Sequence, residues 1–301
     1  MNKQDFFNQV AEGIRAKLGE SYDIELDEVL KVNLTLNGLR IRKKDSNVAP
    51  TIYLNQFLNQ FMEGRSMDSI LDEILSIFGQ ELPTTDIPVN KYLDFDTIKD
   101  KIIIKVIGTE RNGKFLEETP HKLIGNLGLA ATLYVVLQFK GEFSMGFYIK
   151  EEHLRIWNKS VNDLLSIATK NMNRQYSFTI RKMDEIMAEM LGDDSFCSEV
   201  NSALSTPLYV LREETSKSLG ATALFLEEQI KAFAKEQDSD VFIFPSSIHE
   251  LILSPSRYMQ MNILYMKEMV QEINETQVAA SDFLSDGVFY YDRFLDMFMR
   301  L

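Results

Sequence analysis

The sequence predicts an α+β fold, with mixed, largely antiparallel sheets, hairpins and packed helices in two units. Three observations carry that expectation. Apolar residues recur at three- and four-residue steps in several long stretches, the spacing that lines one face of a helix. Elsewhere they alternate with polar residues or run together in short blocks, as strands do. The strand-like blocks come both as adjacent pairs and singly between helices, which speaks against a doubly wound parallel sheet.

Taken in order, Phe6, Phe7, Val10, Ile14 and Leu18 place one apolar face on a helix over residues 4–18, with Gly19 as its stop. Val32, Leu34 and Leu36 alternate before Asn37-Gly38, and Leu39 and Ile41 alternate after it. Alternation on both sides of Asn-Gly predicts a hairpin turning at those two residues, because both tolerate positive φ. A helix follows over 52–62. A second opens at Ser66, carries Met67, Ile70, Leu71, Ile74, Leu75 and Phe78 on one face, and closes at Gly79. Pro83 and Pro88 mark 82–89 as the boundary between units.

Beyond it, 101–107 reads as a strand, and 127–139 with 142–149 as a hairpin joined at Lys140-Gly141. Ser160 caps a helix with Val161, Leu164, Leu165, Ala168 and Met172 inside. Another helix spans 180–191, where Met183, Met187 and Met190 are expected to fill core rather than bind a ligand. Residues 207–211 form a strand. Leu219, Ala223, Leu226, Ile230 and Phe233 then line one helix, with Glu227 and Lys231 paired on its outer side. Strands at 240–244, 251–253 and 288–291 flank a helix over 262–273.

With 301 residues, 45% hydrophobic and 26% charged, the chain can bury a sizeable core in about two domains. Its net charge of −13 repels phosphate backbones and anionic lipid, so neither nucleic acid nor a membrane surface is expected as partner. The densest basic cluster, Arg40, Arg42, Lys43 and Lys44, is expected to be solvated. One cysteine, Cys197, permits no intrachain disulfide and suits a reducing cytoplasm. The first residues show no secretory pattern, and the longest near-apolar run, 127–139, is too short to span a bilayer.

One stretch looks catalytic. Ser246, Ser247, His249 and Glu250 crowd together after Pro245. A serine nucleophile needs a histidine within hydrogen-bond reach, itself held by a carboxylate, and such partners normally come from distant parts of the chain. The Gly-x-Ser-x-Gly elbow is absent. Ser247-Ile-His-Glu250 instead fits a capping box, so the expectation is a strand, one helical turn and a strand. Other chemistries find less support. His121, His153 and His249 lack ligand spacing, Gly125 and Gly128 lack the context of a dinucleotide fingerprint, and Gly192-Asp193-Asp194 reads as a helix C-cap with acidic loop residues. Asp282, Asp286, Asp292 and Asp296 match no cation loop. No cofactor and no metal is expected, and paired carboxylates for glycoside hydrolysis stay open because their spacing is arbitrary.

Pro50-Thr-Ile-Tyr-Leu54, Met62-Glu-Gly64, Pro245-Ser-Ser-Ile-His-Glu250, Leu284-Ser-Asp286 and Tyr291-Asp-Arg293 together resemble an uncharacterised family of Firmicutes proteins, mainly from gut Clostridia, over nearly the whole chain. The resemblance implies no activity and no site residue. From Gly141 onward the chain is also similar to a more distant bacterial family of unknown function, with Asn-Arg-Asp at the turn; this implies a polar, cap-forming turn and not a nucleophile. The expected units are residues 1–85, a helix, a hairpin and helices, and residues 95–301, the larger α+β part. The expected function is a non-enzymatic cytoplasmic binding or regulatory module acting through protein or peptide contacts. The alternative is a hydrolase or carboxylate-based enzyme using His249 with Ser246 or Ser247.

Overall fold

The computed structural model describes residues 2–46, 49–81, 93–140, 143–192, 206–259 and 262–301. The chain divides into two units, Met1–Lys91 and Tyr92–Leu301. Its fold is α+β: among the described residues, helices accompany three sheets in which every pairing is antiparallel.

In the first unit, α1 (Lys3–Leu18) opens on a reciprocal cap between Asn2 and Asp5 and stops at Gly19, whose φ is 73°. It buries Phe6, Phe7, Val10 and Ile14 against one face of a sheet formed by β1 (Tyr22–Lys31), β2 (Leu34–Lys43) and β3 (Thr51–Tyr53). Helices α2 (Asn55–Met62) and α3 (Met67–Glu81) add Phe57, Ile70, Ile74 and Phe78 to the same core.

The Asn37-Gly38 turn is overturned. Strands β1 and β2 join through Val32 and Asn33, Asn33 supplying the positive φ (64°), and Lys31 faces Leu34. Gly38 lies in mid-strand between Asp27 and Tyr53. Glycine is needed there for close approach rather than for φ: a Cβ would sit 2.6 Å from Thr51 Cγ2 and 3.0 Å from Val29 Cγ2. The same third strand delays the expected helix to Asn55, and α3 runs past Gly79. Across the sheet, Arg40 pairs with Glu25 and Asp27, and Arg42 with Asp23, so acidic β1 neutralises these two members of the basic cluster.

The second unit holds two sheets. In the smaller, β6 (Leu129–Lys140) is central, with β4 (Ile102–Gly108) on one side and β5 (His121–Leu123) followed by β7 (Phe143–Tyr148) on the other. The larger runs β13-β12-β10-β11-β9-β8, from β13 (Met297–Arg300), β12 (Phe289–Asp292), β10 (Val241–Pro245) and β11 (Glu250–Pro255) to β9 (Tyr209–Glu213) and β8 (Phe178–Lys182). Ile102, Ile104, Val106, Leu129 and Leu133 of the smaller sheet share a core with Leu211, Val241, Ile243, Leu251 and Leu253 of the larger. Around them lie α4 (Phe95–Ile98), α5 (Gly113–Glu117), α6 (Glu151–Trp157) and α7 (Val161–Gln175), then α8 (Met183–Leu191), α9 (Ala223–Leu226), α10 (Glu228–Glu236) and α11 (Ile263–Thr276). Ser160 caps α7 as expected, its hydroxyl accepting the Asp163 N–H while the Asp163 carboxylate accepts the Ser160 N–H.

Three expectations in this unit are corrected. Residues 178–182 pair as a strand before α8 begins, and on α8 Met187 and Met190 are 37% and 82% exposed rather than core filler. The helix expected from Leu219 is broken into a 3-10 turn (Gly220–Thr222), α9 and α10, with Glu227 at φ 64° between the last two. Gly220 and Ala221 donate to the carbonyls of His249 and Ile248, which holds that segment to the β10–β11 connection instead of to a helix of its own. The boundary at 82–89, residues Asp193, Asp194 and Cys197, and Gly141 of the expected turn lie outside the described residues.

Candidate functional site

The turn at 246–250 is a hairpin connection between β10 and β11, without the helical turn that a capping box requires. The Ser247 hydroxyl accepts the His249 N–H two residues on (3.0 Å), and the Ser247 N–H donates to the Glu250 carbonyl (3.3 Å). The Ser246 hydroxyl donates to Glu250 Oε1 at 3.3 Å. Both hydroxyls therefore serve the turn, and neither is hydrogen-bonded to the imidazole. His249 instead places Nε2 3.4 Å from Asp282 Oδ1, while the Ile248 N–H donates to the Asp282 carbonyl at 2.9 Å. His249 Nδ1 is buried and has no hydrogen-bond partner among the described residues. The structure thus brings a histidine to a carboxylate, but through the opposite ring nitrogen from the one a triad aspartate holds, and with no hydroxyl on the other nitrogen.

The remaining polar candidates are dispersed. His121 Nδ1 lies 2.8 Å from the Thr119 carbonyl, so that nitrogen carries the proton. His153 accepts the Lys150 N–H on Nδ1 and stacks on Trp157, and burial pushes its pKa down. Asp286 accepts from Asn274, Asp292 accepts the N–H groups of Phe294 and Leu295 in the β12–β13 turn, and Asp296 is held by Lys231 and the Tyr291 hydroxyl. Among the described residues no group of three or more His, Cys, Asp or Glu is placed to hold a metal ion. Gly125 and Gly128, both at positive φ, shape the β5–β6 turn, which leads into a strand and not into a helix.

Two features carry possibilities that the motifs did not. In the first unit a groove of about 490 Å³ lies along β3, lined by Leu36, Pro50, Ile52, Tyr53, Gln56 and Ile77 among others. Among the described residues β3 pairs with β2 alone and is the edge of its sheet. Pro50 and Leu54 point their backbone groups at β2, the Ile41 N–H donating to Pro50 O and the Leu54 N–H to Asn37 O. By the alternation of an antiparallel ladder, Thr51 and Tyr53 turn theirs outward. In the second unit Lys105 is a single cation inside the run Ile102-Ile-Ile-Lys-Val-Ile107, and its ammonium lies 3.9 Å from the centroid of the Tyr134 ring. The sequence signal for it is that lone lysine in an apolar strand.

By fold and site, then, this is an antiparallel α+β protein with a sheet-edge groove and an isolated amine. Residues 3–293 match the family model DUF5688, a family of unknown function, and the chain belongs to that family. No curated protein and no solved structure matches it. No helix among the described residues is long and apolar enough to cross a membrane.

Proposed function

We propose that the chain is a non-enzymatic binding module of a Firmicute cytoplasm, which takes an extended segment of a protein partner along β3. The observation that carries this reading is the groove beside a strand that is the sheet edge among the described residues, with backbone groups of Thr51 and Tyr53 turned outward. Strand addition supplies affinity through main-chain hydrogen bonds, and a flanking groove supplies specificity by receiving alternate side chains. Leu36, Ile52, Ile77 and Pro50 suit apolar side chains, while Asn55 and Gln56 can meet the polar ones. The residues that line the groove are uncharged, so a neutral, alternating segment fits best. Engagement of Arg40 and Arg42 by β1 carboxylates supports leaving nucleic acid out of the partner set.

The test is site-specific photocrosslinking in host extract, with a benzophenone side chain at Gln56 and a control at exposed Glu12. A defined adduct is expected from Gln56 alone. Thr51→Pro should abolish it with little loss of stability, since proline removes an outward N–H that an edge strand does not use. An adduct that survives Thr51→Pro would refute strand addition.

The His249–Asp282 pair supports a second reading, a hydrolase or carboxylate-based enzyme in which His249 works with Ser246 or Ser247. There the free Nδ1 would receive the serine proton, and a rotation of the hydroxyl side chain would have to bring it there. Labelling by a fluorophosphonate probe separates the two readings.

A further inference from the structure

One face of the smaller sheet in the second unit belongs to the core shared with the larger sheet. The register defines what the other face carries. Lys105 lies opposite Thr132, which lies opposite His121; one row on, Ile103 lies opposite Tyr134, which lies opposite Tyr148. Residues directly opposite across strands share a face, so these six form two adjacent rows. The Tyr134 and Tyr148 rings meet edge to face at 5.0 Å, Phe115 meets Tyr148 in the same way, and Ile103, Val136, Met172 and Leu219 pack beside Tyr134. Lys105 Nζ stands 3.9 Å from the Tyr134 centroid and 5.9 Å from that of Tyr148.

Among the described residues no carboxylate offsets the desolvation of this largely buried ammonium, and the Tyr134 ring face is what it lies against. Nor do polar groups converge to make an anion site. The Thr132 hydroxyl donates to the Lys105 carbonyl (2.7 Å), and His121 Nδ1 is engaged with Thr119. What the site offers is a single amine on an aromatic floor.

We propose that Lys105 is a nucleophilic amine site for a small aldehyde or ketone whose apolar or aromatic body lies against Tyr134 and Tyr148. Burial pushes its pKa down to about 8. About a quarter of the amine is then neutral at pH 7.5, against roughly one part in a thousand for a lysine at its ordinary value. The neutral nitrogen attacks the carbonyl carbon, and the carbonyl oxygen takes up a proton to give a carbinolamine. Loss of water, which carries away both amine hydrogens, leaves the C=N bond of an imine; nothing is oxidised or reduced. The groups facing the amine are Tyr134 on β6, Tyr148 on β7, His121 on β5 and, beyond α7, Tyr176, with Lys150 over the Phe115 ring. Tyr148 and Tyr176 are themselves pushed up by burial and stay protonated through pH 7–9.

The experiment treats the full-length chain with benzaldehyde and sodium cyanoborohydride between pH 6.5 and 9.5 and maps benzyl adducts by peptide mass spectrometry. Lys105 should be modified at least on the order of tenfold faster than the exposed Lys114 and Lys122, and this ratio should be largest at the acid end of the range and fall steadily as pH rises past 8. Tyr134→Leu, which removes the floor, should lower the ratio in a chain that still folds by circular dichroism. Modification of Lys105 no faster than Lys114 and Lys122 across the whole pH range would overturn the proposal. Because the decisive measurement is made on the unaltered protein, failure of a variant to fold cannot imitate either result.

Discussion

At the 246–250 turn each hydroxyl has a local partner, Ser246 holding Glu250 and Ser247 holding the His249 N–H, whereas the Lys105 ammonium lies against the Tyr134 and Tyr148 rings. The first region is rich in chemistry-bearing residues and the second has one. Yet in the first the hydrogen-bonding capacity of the serines is consumed in making the chain reverse direction. In the second, a charge is carried on a sheet face where its desolvation is offset by aromatic ring faces and, among the described residues, by no carboxylate. The difference teaches where to look for function: a crowded polar turn is often used up by its own backbone, and an isolated cation among isoleucines is left over.

The largest expected effect breaks the structural side of this comparison. Gly220 donates its N–H to the His249 carbonyl, and a Cβ there would sit 2.1 Å from that oxygen and 2.7 Å from the Glu250 Cα. These are backbone atoms of a paired strand and cannot swing aside. Gly220→Val should therefore cost roughly 3 kcal/mol or more, through overpacking and the loss of the backbone bond. Urea denaturation read by tryptophan fluorescence would check it. A variant within ~1 kcal/mol of the parent would show that the turn tolerates displacement of the Gly220 contact.

That contact shows what local sequence holds and what it does not. Helices α1, α3 and α7 are legible because their apolar spacing lies within one segment, with the stop at Gly19 for α1 and the starts at Ser66 and Ser160 for α3 and α7, although α3 runs past the expected stop at Gly79. The position of Asn37-Gly38 is not, because the strand that requires a glycine there arrives from Thr51 and its neighbours. The break at Glu227 and the docking of Gly220 on the 246–250 turn likewise depend on partners far along the chain. The alternation of Ile24 and Leu26 with Asp23, Glu25 and Asp27 is the local signal of β1, and it places the partner of β2 before Val32 and not across Asn37-Gly38. At the site, the four residues 246, 247, 249 and 250 were legible as a cluster, while Asp282, which meets His249, could be found only in three dimensions.

A middle-sized effect sharpens the other side. Burial lowers the pKa of Lys105 to about 8 in the folded chain, against its ordinary value of 10.5. Between those values the unfolded chain binds the extra proton, so the stability of the protein relative to a Lys105→Met variant should rise with pH from about 8 to about 10.5. Below pH 8 both states are charged and the folded state bears the full desolvation cost, so Lys105→Met should be the more stable chain by about 2 kcal/mol. Taking the difference between the two proteins cancels the titration of tyrosines and surface groups common to both. A flat difference from pH 7 to 10.5 would place the amine in water and remove the physical basis of the carbonyl site.

The smallest effect returns to Ser247. Its hydroxyl accepts one N–H, that of His249, on a turn whose ends are already fixed by the β10–β11 ladder. Ser247→Ala should therefore cost only roughly 0.5–1.5 kcal/mol, the net value of one hydrogen bond with its donor left partly solvated. Ser247→Asp should recover most of that loss, because an aspartate oxygen accepts the same i+2 N–H in an Asx turn. A nucleophile behaves in the opposite way: alanine leaves the fold untouched and abolishes reaction, and aspartate rescues nothing. Thermal unfolding of both variants, run beside fluorophosphonate labelling of the parent, reads the two possibilities on separate scales. The expected pattern is a small loss, its recovery with aspartate, and no label. Stoichiometric label on Ser246 or Ser247 that disappears in His249→Ala, with Ser247→Ala as stable as the parent, would reverse the comparison and make the crowded turn the reactive site.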